Sequence, residues 1–348
     1  MPDPVLSVRG LTTEFVTPNG VVKAVTDVSW DLYPGETLGV VGESGSGKTV
    51  TAMSILGLVP CPPGRIVSGE ILFEGRDLLT MPAKELRQVR GRDIGMIFQD
   101  PMTSLNPVLT VGEQIAEALR LHDRALSREA ARSRAIELLA SVGVPNPEVR
   151  YDQYPHEHSG GMRQRAMIAM AIANGPKVLI ADEPTTALDV TIQAQVLDVL
   201  RAAQEQTGAA TVLITHDLAL IAEHADRVVV MYGGRVVEVA DVYSIFSSCR
   251  HPYTLGLLSS LPRLDVDVEQ LEPIPGSPPN LIDLPPGCAF HPRCRLAKDR
   301  EVCRTEVPPL RDVGDGVRSA CHFAEEVPAE RAAVADEMGI QLGAGGGS

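Results

Sequence analysis

The chain has 348 residues, of which 44% are hydrophobic, so it is long enough to bury the core of one large domain and of a smaller one. Its formal net charge of −14 argues against a nucleic-acid-binding face, because such a face needs basic residues that displace counterions from phosphates. No apolar run approaches the roughly 20 residues of a membrane span, and residues 1–4 lack signal-peptide character, so we expect a cytosolic protein.

Residues 5–40 contain alternating apolar stretches that are broken by turn sequences at residues 18–20 and 34–35. This pattern predicts antiparallel strands. Phe15 lies just before the first turn, where an aromatic ring could stack on adenine. The same pattern also fits an ordinary core phenylalanine.

Residues 42–49 match the pattern GxxxxGK[ST] between an apolar run that predicts a buried strand and a segment that predicts a helix. Glycines allow the loop backbone to turn its N–H groups onto a phosphate, and the helix N-terminus adds partial positive charge. We expect Lys48 to reach the β- and γ-phosphates and the Thr49 hydroxyl to hold Mg²⁺. The residues predicted to bind nucleotide in this loop are Gly42, Ser44, Gly45, Gly47, Lys48 and Thr49.

Polar side chains follow three further strands that the sequence predicts to be buried. Gln99 follows the first of them, and its amide could reach Mg²⁺ or the attacking water. Asp182 and Glu183 follow the second, where Asp182 would hold Mg²⁺ and Glu183 would polarise a water for attack on the γ-phosphate. His216 follows the third and could donate to the γ-phosphate, although a single histidine at a strand end is often structural.

Between the strands that end at Gln99 and Asp182, helical periodicity predicts a helical insertion over about residues 100–175. Within it, Ser159, Gly160 and Gly161 open an apolar helix. Taken alone, this serine is better explained by simple N-capping, but beside the phosphate loop a serine and two glycines predict a second anion-binding helix N-terminus.

Together these motifs resemble those of ABC-type ATPases, in the same order over residues 5–245. The corresponding motifs are the Walker A loop at 42–49, the Q-loop at Gln99, the signature at 159–161, the Walker B motif with its catalytic glutamate at 178–183, the D-loop at 187–189 with Asp189, the H-loop at His216 and the adenine-stacking aromatic at Phe15. His158 departs from this family, which usually has an apolar residue there.

The resemblance implies an α/β fold in which a P-loop ATPase domain over residues 1–245 has a mixed sheet, an antiparallel β subdomain and the helical insertion. It also implies that two such domains close head to tail, with ATP and Mg²⁺ between the Walker A loop of one and the signature of the other. The second ABC ATPase subunit would be a homologous partner in a heterodimer.

Residues 246–325 include a proline-rich segment at 272–286 and predict a small extension with little core of its own, followed by a flexible tail over 326–348. This extension resembles the C-terminal segment of ATPase subunits from oligopeptide, dipeptide and nickel importers. In that family four cysteines are similar to ligands of a 4Fe-4S cluster, here Cys288, Cys294, Cys303 and Cys321. Their spacing leaves zinc and free thiols open as alternatives.

The sequence therefore predicts the ATP-hydrolysing subunit of a peptide importer, peripheral on the cytoplasmic face of the membrane. Its partners would be two transmembrane permease subunits and, indirectly, an extracytoplasmic substrate-binding protein, with no nucleic acid. The alternative is the same role in a nickel or other solute importer. A DNA-repair or translation ATPase would need a basic face, and exporters normally lack the cysteine extension.

Overall fold

The computed structural model describes residues 2–186, 189–261 and 274–337. The strands in this part of the chain are β1 (Leu6–Thr17), β2 (Gly20–Leu32), β3 (Thr37–Val41), β4 (Gly64–Phe73), β5 (Arg76–Asp77), β6 (Ile94–Ile97), β7 (Val178–Asp182), β8 (Ala210–Thr215), β9 (Arg227–Tyr232), β10 (Arg235–Asp241), β11 (Arg311–Asp312) and β12 (Arg318–Ser319).

The α-helices are α1 (Lys48–Ile55), α2 (Ala83–Val89), α3 (Pro101–Ser104), α4 (Val111–His122), α5 (Arg128–Ser141), α6 (Pro147–Tyr151), α7 (Gly160–Ile172), α8 (Val190–Thr207), α9 (Leu218–His224), α10 (Val242–Ser248), α11 (Pro252–Ser259), α12 (Glu301–Thr305) and α13 (Val327–Glu337). Short 3₁₀ helices cover Pro155–Glu157, His291–Arg293 and Ala324–Glu326. None of the helices in the described ranges combines the length and apolar character that crossing a membrane requires.

The larger sheet has the strand order β11-β12-β10-β9-β3-β8-β7-β6, and its central strands run parallel. Every residue of β3, β7 and β8 is buried, which explains why these strands appear in the sequence as continuous apolar runs. The register pairs Val41 with Thr215 and Asp182 with Ile214. The polar residues that follow these strands therefore meet at one edge of the sheet.

The smaller sheet is antiparallel, in the order β2-β1-β4-β5. One face of β1 packs on the core beneath it, and the Thr13 and Ser54 hydroxyls, 3.0 Å apart, join β1 to α1. The predicted α/β class, with its mixed sheet and antiparallel subdomain, is thus confirmed.

Five helices, α3 to α7, lie between β6 and β7 and form a helical subdomain. Its apolar side chains share one core, in which Ile115, Leu139 and Ile168 are fully buried. Thr110 caps α4 in a capping box with Glu113, so the N-terminus of this helix is satisfied by local side chains.

The C-terminal extension is continuous with the larger sheet. Strand β12 pairs with β10, where Glu238 lies opposite Ser319, and Tyr253, Phe290 and Val317 belong to the main hydrophobic core. The extension therefore shares the core of the nucleotide domain, which explains how a proline-rich segment with few apolar residues is held in place.

The predicted flexible tail differs from the structure over its first part. Residues Val327–Glu337 form α13, Val327 is fully buried, and the Arg331 guanidinium donates to the Phe246 carbonyl oxygen over 2.8 Å. Residues 338–348 lie outside the described part of the chain.

Glu238 is fully buried where the extension meets β10, and it accepts a hydrogen bond from the Arg250 amide. Burial raises the pKa of this carboxyl from 4.5 to about 7. The folded state therefore holds the proton more tightly than the unfolded chain, so stability falls as the pH rises through this interval. We expect Glu238→Gln to raise the Tm of the chain at pH 8, by about 1–2 °C for each kcal/mol of burial penalty that the substitution removes.

Thermal unfolding at pH 5.5 and at pH 8 measures this effect. The difference in Tm between the variant and the unmodified chain should be smaller at pH 5.5, because Glu238 is protonated in the folded chain at that pH. A variant that is less stable at pH 8 would contradict the assignment of a buried carboxylate penalty to Glu238.

Candidate active site

The predicted phosphate loop connects the carboxyl end of β3 to the N-terminus of α1. Gly42 and Gly47 have φ values of +154° and +101°, in the region that favours glycine. A Cβ atom on Gly42 would lie 2.2 Å from the Met231 carbonyl oxygen, and one on Gly47 would lie 2.5 Å from the Ala24 carbonyl oxygen. The loop can therefore keep its path only with glycine at these two positions.

Lys48 is only 5% exposed, and burial lowers the pKa of its ammonium group. The ammonium donates to the carbonyl oxygens of Gly42 and Glu43 over 2.7 and 3.1 Å, both within its own loop. The Ser46 hydroxyl is also buried and makes no hydrogen bond in the described part of the chain. A buried cation and an unpaired hydroxyl in a loop of this shape fit a phosphate group.

Thr49 and Asp182 bring an oxygen pair together from α1 and β7. The Thr49 hydroxyl donates to the Asp182 carboxylate over 3.1 Å, although the two residues are 133 positions apart. Asp182 is 2% exposed, and its burial raises the pKa to about 6, against the opposing effect of the Thr49 hydrogen bond. A hydroxyl and a carboxylate are hard oxygen ligands of the kind that Mg²⁺ prefers.

Glu183 is the point at which the predicted catalytic residues converge. Its carboxylate oxygen Oε2 accepts a hydrogen bond from the Gln99 amide at 3.0 Å and lies 3.4 Å from Nδ1 of His216. The Glu183 amide donates to the Ile214 carbonyl oxygen over 2.9 Å, which anchors the residue to β8. Three side chains that follow three different strands thus meet at one carboxylate.

The Glu183 backbone has a φ of +46°, a conformation that costs a non-glycine residue about 1–3 kcal/mol. The Thr186 hydroxyl donates to the same Oε2 oxygen over 2.8 Å, so it helps to hold the strained residue. Thr186 is not among the residues that the sequence motifs predicted. Its position three residues after Glu183 was the only available signal, because a turn after a strand brings such residues together.

The second predicted anion site opens α7. The Ser159 hydroxyl caps this helix by accepting from the Met162 amide at 3.4 Å, and Ser159 and Gly160 are exposed. A Cβ atom on Gly161 would lie 2.9 Å from the Ile192 side chain, so glycine allows α7 to pack closely on α8. Among the described hydrogen bonds, none joins residues 159–161 to the phosphate loop of the same chain.

The structure also describes Asp189, Phe15 and His158, which the sequence singled out. Asp189 caps α8 by accepting from the Ile192 amide at 3.0 Å, while residues 187 and 188 of the predicted D-loop lie outside the described residues. Phe15 is half-buried on β1, opposite Gly64 of β4. His158 is 2% exposed and burial lowers its pKa, so a neutral imidazole takes the place of the usual apolar side chain.

The prediction of a 4Fe-4S cluster is wrong. Within the described ranges, which contain all four cysteines of the extension, no group of three or more His, Cys, Asp or Glu side chains could hold a metal ion. All four are free cysteines. Burial raises the pKa of the Cys294 thiol to about 11 and that of the Cys321 thiol to about 12.

Two family models match this sequence. One, described as "ABC transporter", matches residues 25–186, and the other, described as "Oligopeptide/dipeptide transporter, C-terminal region", matches residues 237–303. The first match includes the phosphate loop, the signature and Glu183, and the second spans most of the extension.

Similar proteins cover nearly the whole chain. The dipeptide transport ATP-binding protein of Bacillus subtilis is 52% identical over 91% of this chain and 92% of its own length. The oligopeptide transport ATP-binding protein of the same organism is 53% identical over 89% of this chain and 86% of its own length. The dipeptide transport ATP-binding protein of Escherichia coli is 50% identical over 91% and 96%, respectively.

A solved structure shares the fold. The dimeric ATP-binding cassette MJ0796, in a post-hydrolysis state bound to ADP and Pi, aligns with a TM-score of 0.61 and 28% identity. The alignment covers 68% of this chain and 98% of the cassette.

Proposed function

Because this chain belongs to the ABC transporter family, and within it to the ATP-binding subunits of oligopeptide and dipeptide transporters, we propose that it powers the import of short peptides. The chain is an ABC-type ATPase, and its reaction is ATP hydrolysis coupled to transport. The observation that carries the assignment of roles is the convergence of Gln99 and His216 on the Glu183 carboxylate, beside Asp182.

In this proposal the buried Lys48 binds the β- and γ-phosphates, and the loop amides complete the phosphate cradle. Thr49 and Asp182 would hold Mg²⁺, which, when bound, neutralises charge on the phosphate oxygens. Phe15 offers a half-exposed ring for the adenine base.

Glu183 orients the attacking water and accepts its proton as the bond to the γ-phosphorus forms. Gln99 holds the Glu183 carboxylate from one side, and Thr186 does so from another. His216 lies within reach of the same carboxylate and can donate to the transferred phosphoryl group. The charge that develops on that group is stabilised by donors already in place.

The exposed N-terminus of α7 can bind a nucleotide only if a second ATPase subunit brings that nucleotide to it. Ser159 and Gly160 are exposed and have no described hydrogen bond to the phosphate loop of their own chain, so they are available to a nucleotide bound elsewhere. The 13-residue helix α7 provides a dipole that favours anions at this end. We infer that a second ABC ATPase subunit supplies that nucleotide, which the dimeric state of the similar cassette MJ0796 supports.

Transmembrane partners are expected at an apolar groove between β6 and the helical subdomain. Phe98 and Leu121 line it and are 41% and 65% exposed, beside Met96 and Met170. A groove with flexible methionines and exposed apolar side chains suits a short apolar helix of a permease subunit. This contact would hold the ATPase peripherally at the cytoplasmic face of the membrane.

Reconstitution tests the cargo and the partners together. The chain, its ATPase partner and two permease subunits would be assembled in vesicles with the extracytoplasmic binding protein, and ATP hydrolysis would be measured with and without a short peptide. Stimulation by peptide supports the proposal. Stimulation by nickel or another solute, and not by peptide, would contradict peptide import.

The groove makes a separate prediction. We expect Leu121→Ser to lose most of the peptide-stimulated hydrolysis of the assembled transporter, because a buried leucine at an interface contributes about 2 kcal/mol or more. Basal hydrolysis should remain, since the residues that line the groove include neither Glu183 nor any residue of the phosphate loop. Val149→Ser provides a matched control, because Val149 is 61% exposed outside the groove. If the two substitutions lowered peptide-stimulated hydrolysis equally, the groove would not be the contact site of the permease subunit.

A further inference from the structure

The extension contacts the phosphate loop directly, at Glu43. The Glu43 amide donates to the Tyr253 hydroxyl over 2.7 Å. The Glu43 carboxylate accepts two hydrogen bonds from the Arg293 guanidinium, at 2.7 and 3.0 Å. Both contacts span more than 200 positions in the sequence, so only the fold creates them.

The third polar group of Glu43, its carbonyl oxygen, binds the lysine of the phosphate loop. The Glu43 carbonyl oxygen accepts from the Lys48 ammonium at 3.1 Å. Tyr253 and Arg293 therefore fix the residue whose carbonyl helps to hold Lys48, and they fix it at both its amide and its side chain. A shift of Glu43 would move the Lys48 partner and the start of the phosphate loop together.

Arg293 is well placed to hold this residue rigidly. Its side chain is 5% exposed, and its guanidinium also donates to the carbonyl oxygens of Pro275 and Ile274, at 2.9 and 3.3 Å. Its guanidinium carbon lies 5.8 Å from the Tyr232 ring centroid. A guanidinium already held by carbonyls and an aromatic ring loses little entropy when it binds a carboxylate with two bonds.

Tyr253 is held just as firmly. It is fully buried, and its ring centroid lies 4.6 Å from that of Tyr232 and 5.4 Å from that of Phe290. Tyr253 is the second residue of α11 in the extension, Phe290 directly precedes the 3₁₀ helix at His291–Arg293, and Tyr232 ends β9 of the main sheet. The aromatic cluster thus joins the extension to the nucleotide domain beneath the phosphate loop.

We propose that Tyr253 and Arg293 are positioning residues that hold the phosphate loop through Glu43, so that affinity for ATP depends on the docked extension. This inference rests on the proposed role of the loop in binding ATP. It assigns a task to the extension in the ATPase reaction itself. By linkage, bound nucleotide also stabilises the docking of the extension, because coupling between two sites is reciprocal.

The test uses the full chain assembled with its ATPase and permease partners, and measures KM and kcat for ATP. We expect Arg293→Gln to raise the KM for ATP by about 5- to 10-fold, the lower end of coupling between sites, while kcat at saturating ATP stays within about twofold. Tyr253→Phe removes one oxygen from a packed ring and should raise KM in the same direction by about threefold, as loss of one neutral hydrogen bond does. Arg293→Lys should restore part of the affinity, because a lysine can still make one bond to Glu43.

Two comparisons separate this role from a general loss of structure. Arg311→Gln removes another two-bond pair, between Arg311 and Glu325 in the extension, and should leave KM unchanged. The double variant Glu43→Gln with Arg293→Gln should be no worse than Arg293→Gln alone, because both remove the same contact.

An unchanged KM in both Arg293→Gln and Tyr253→Phe would overturn the proposal, as would an equal rise in Arg311→Gln. Such a result would leave the ATPase assignment intact as long as Lys48→Ala still loses nucleotide binding. Retained binding in Lys48→Ala would instead contradict the nucleotide site itself. Thermal unfolding of each variant shows whether the compared chains are folded.

Discussion

Glu183→Gln should lower ATP turnover in the assembled transporter by about 10² to 10³, the loss seen when a group that acts in the transition state is removed. Glutamine cannot accept the proton of the attacking water, although it keeps the size of the side chain. ATP binding should remain, because the phosphate loop and the Thr49–Asp182 pair do not involve the Glu183 carboxylate. Turnover is measured by phosphate release, and binding by a fluorescent ATP analogue.

Glu205→Gln is the matched control for this substitution. Glu205 is an exposed residue of α8 whose carboxylate pairs with Arg201, and its change should leave turnover as it is. Turnover in Glu183→Gln within a few-fold of that of the unmodified transporter would remove Glu183 from its role. The hydrogen bonds from Gln99 and Thr186 to the Glu183 carboxylate would then have a structural role only.

Lys48→Ala should weaken ATP binding by about 100-fold, which corresponds to the roughly 3 kcal/mol of a strong hydrogen bond to a charged group. The lysine is buried and has only loop carbonyls as described hydrogen-bond partners, so its charge is available for phosphate oxygens. Unlike Glu183→Gln, this change acts on affinity. Equilibrium titration with the fluorescent ATP analogue measures it directly.

Lys177→Ala serves as the comparison, because Lys177 is an exposed lysine paired with Glu74 on the surface. Exposed pairs of this kind contribute about 1 kcal/mol or less, so binding and Tm should change little. If Lys48→Ala bound ATP as tightly as Lys177→Ala, the loop at residues 42–49 would not be the phosphate site.

The parallel strands and the residues that follow them were predictable because their signals are local. A fully buried strand gives an unbroken apolar run, and Asp182, Glu183 and His216 come directly after such runs. The phosphate loop is equally local, since its glycines and Lys48 lie within eight consecutive residues. The confirmed fold class follows from these strands and from the helices between them.

The extension was harder to predict because its contacts are made at long range. The cysteine spacing resembled a family pattern, but no three metal-binding side chains of the described residues are arranged there so that they could hold a metal ion. The Cys294 and Cys321 thiols are buried by residues from other parts of the chain, and the spacing of cysteines along the sequence does not predict such burial. The helix at Val327–Glu337 also depends on a distant contact, because Val327 is buried against the extension.

By itself, the sequence determined the local features on which the proposed chemistry rests: a glycine-rich loop before a helix, carboxylates at strand ends and a capped helix start are each encoded by a few neighbouring residues. Only the tertiary structure decided which groups meet, as when Gln99 reaches Glu183 and Arg293 reaches Glu43. The physical reason is that hydrogen bonds and ion pairs act over a few ångströms in space. A linear pattern reports such distances only when the partners are also neighbours along the chain.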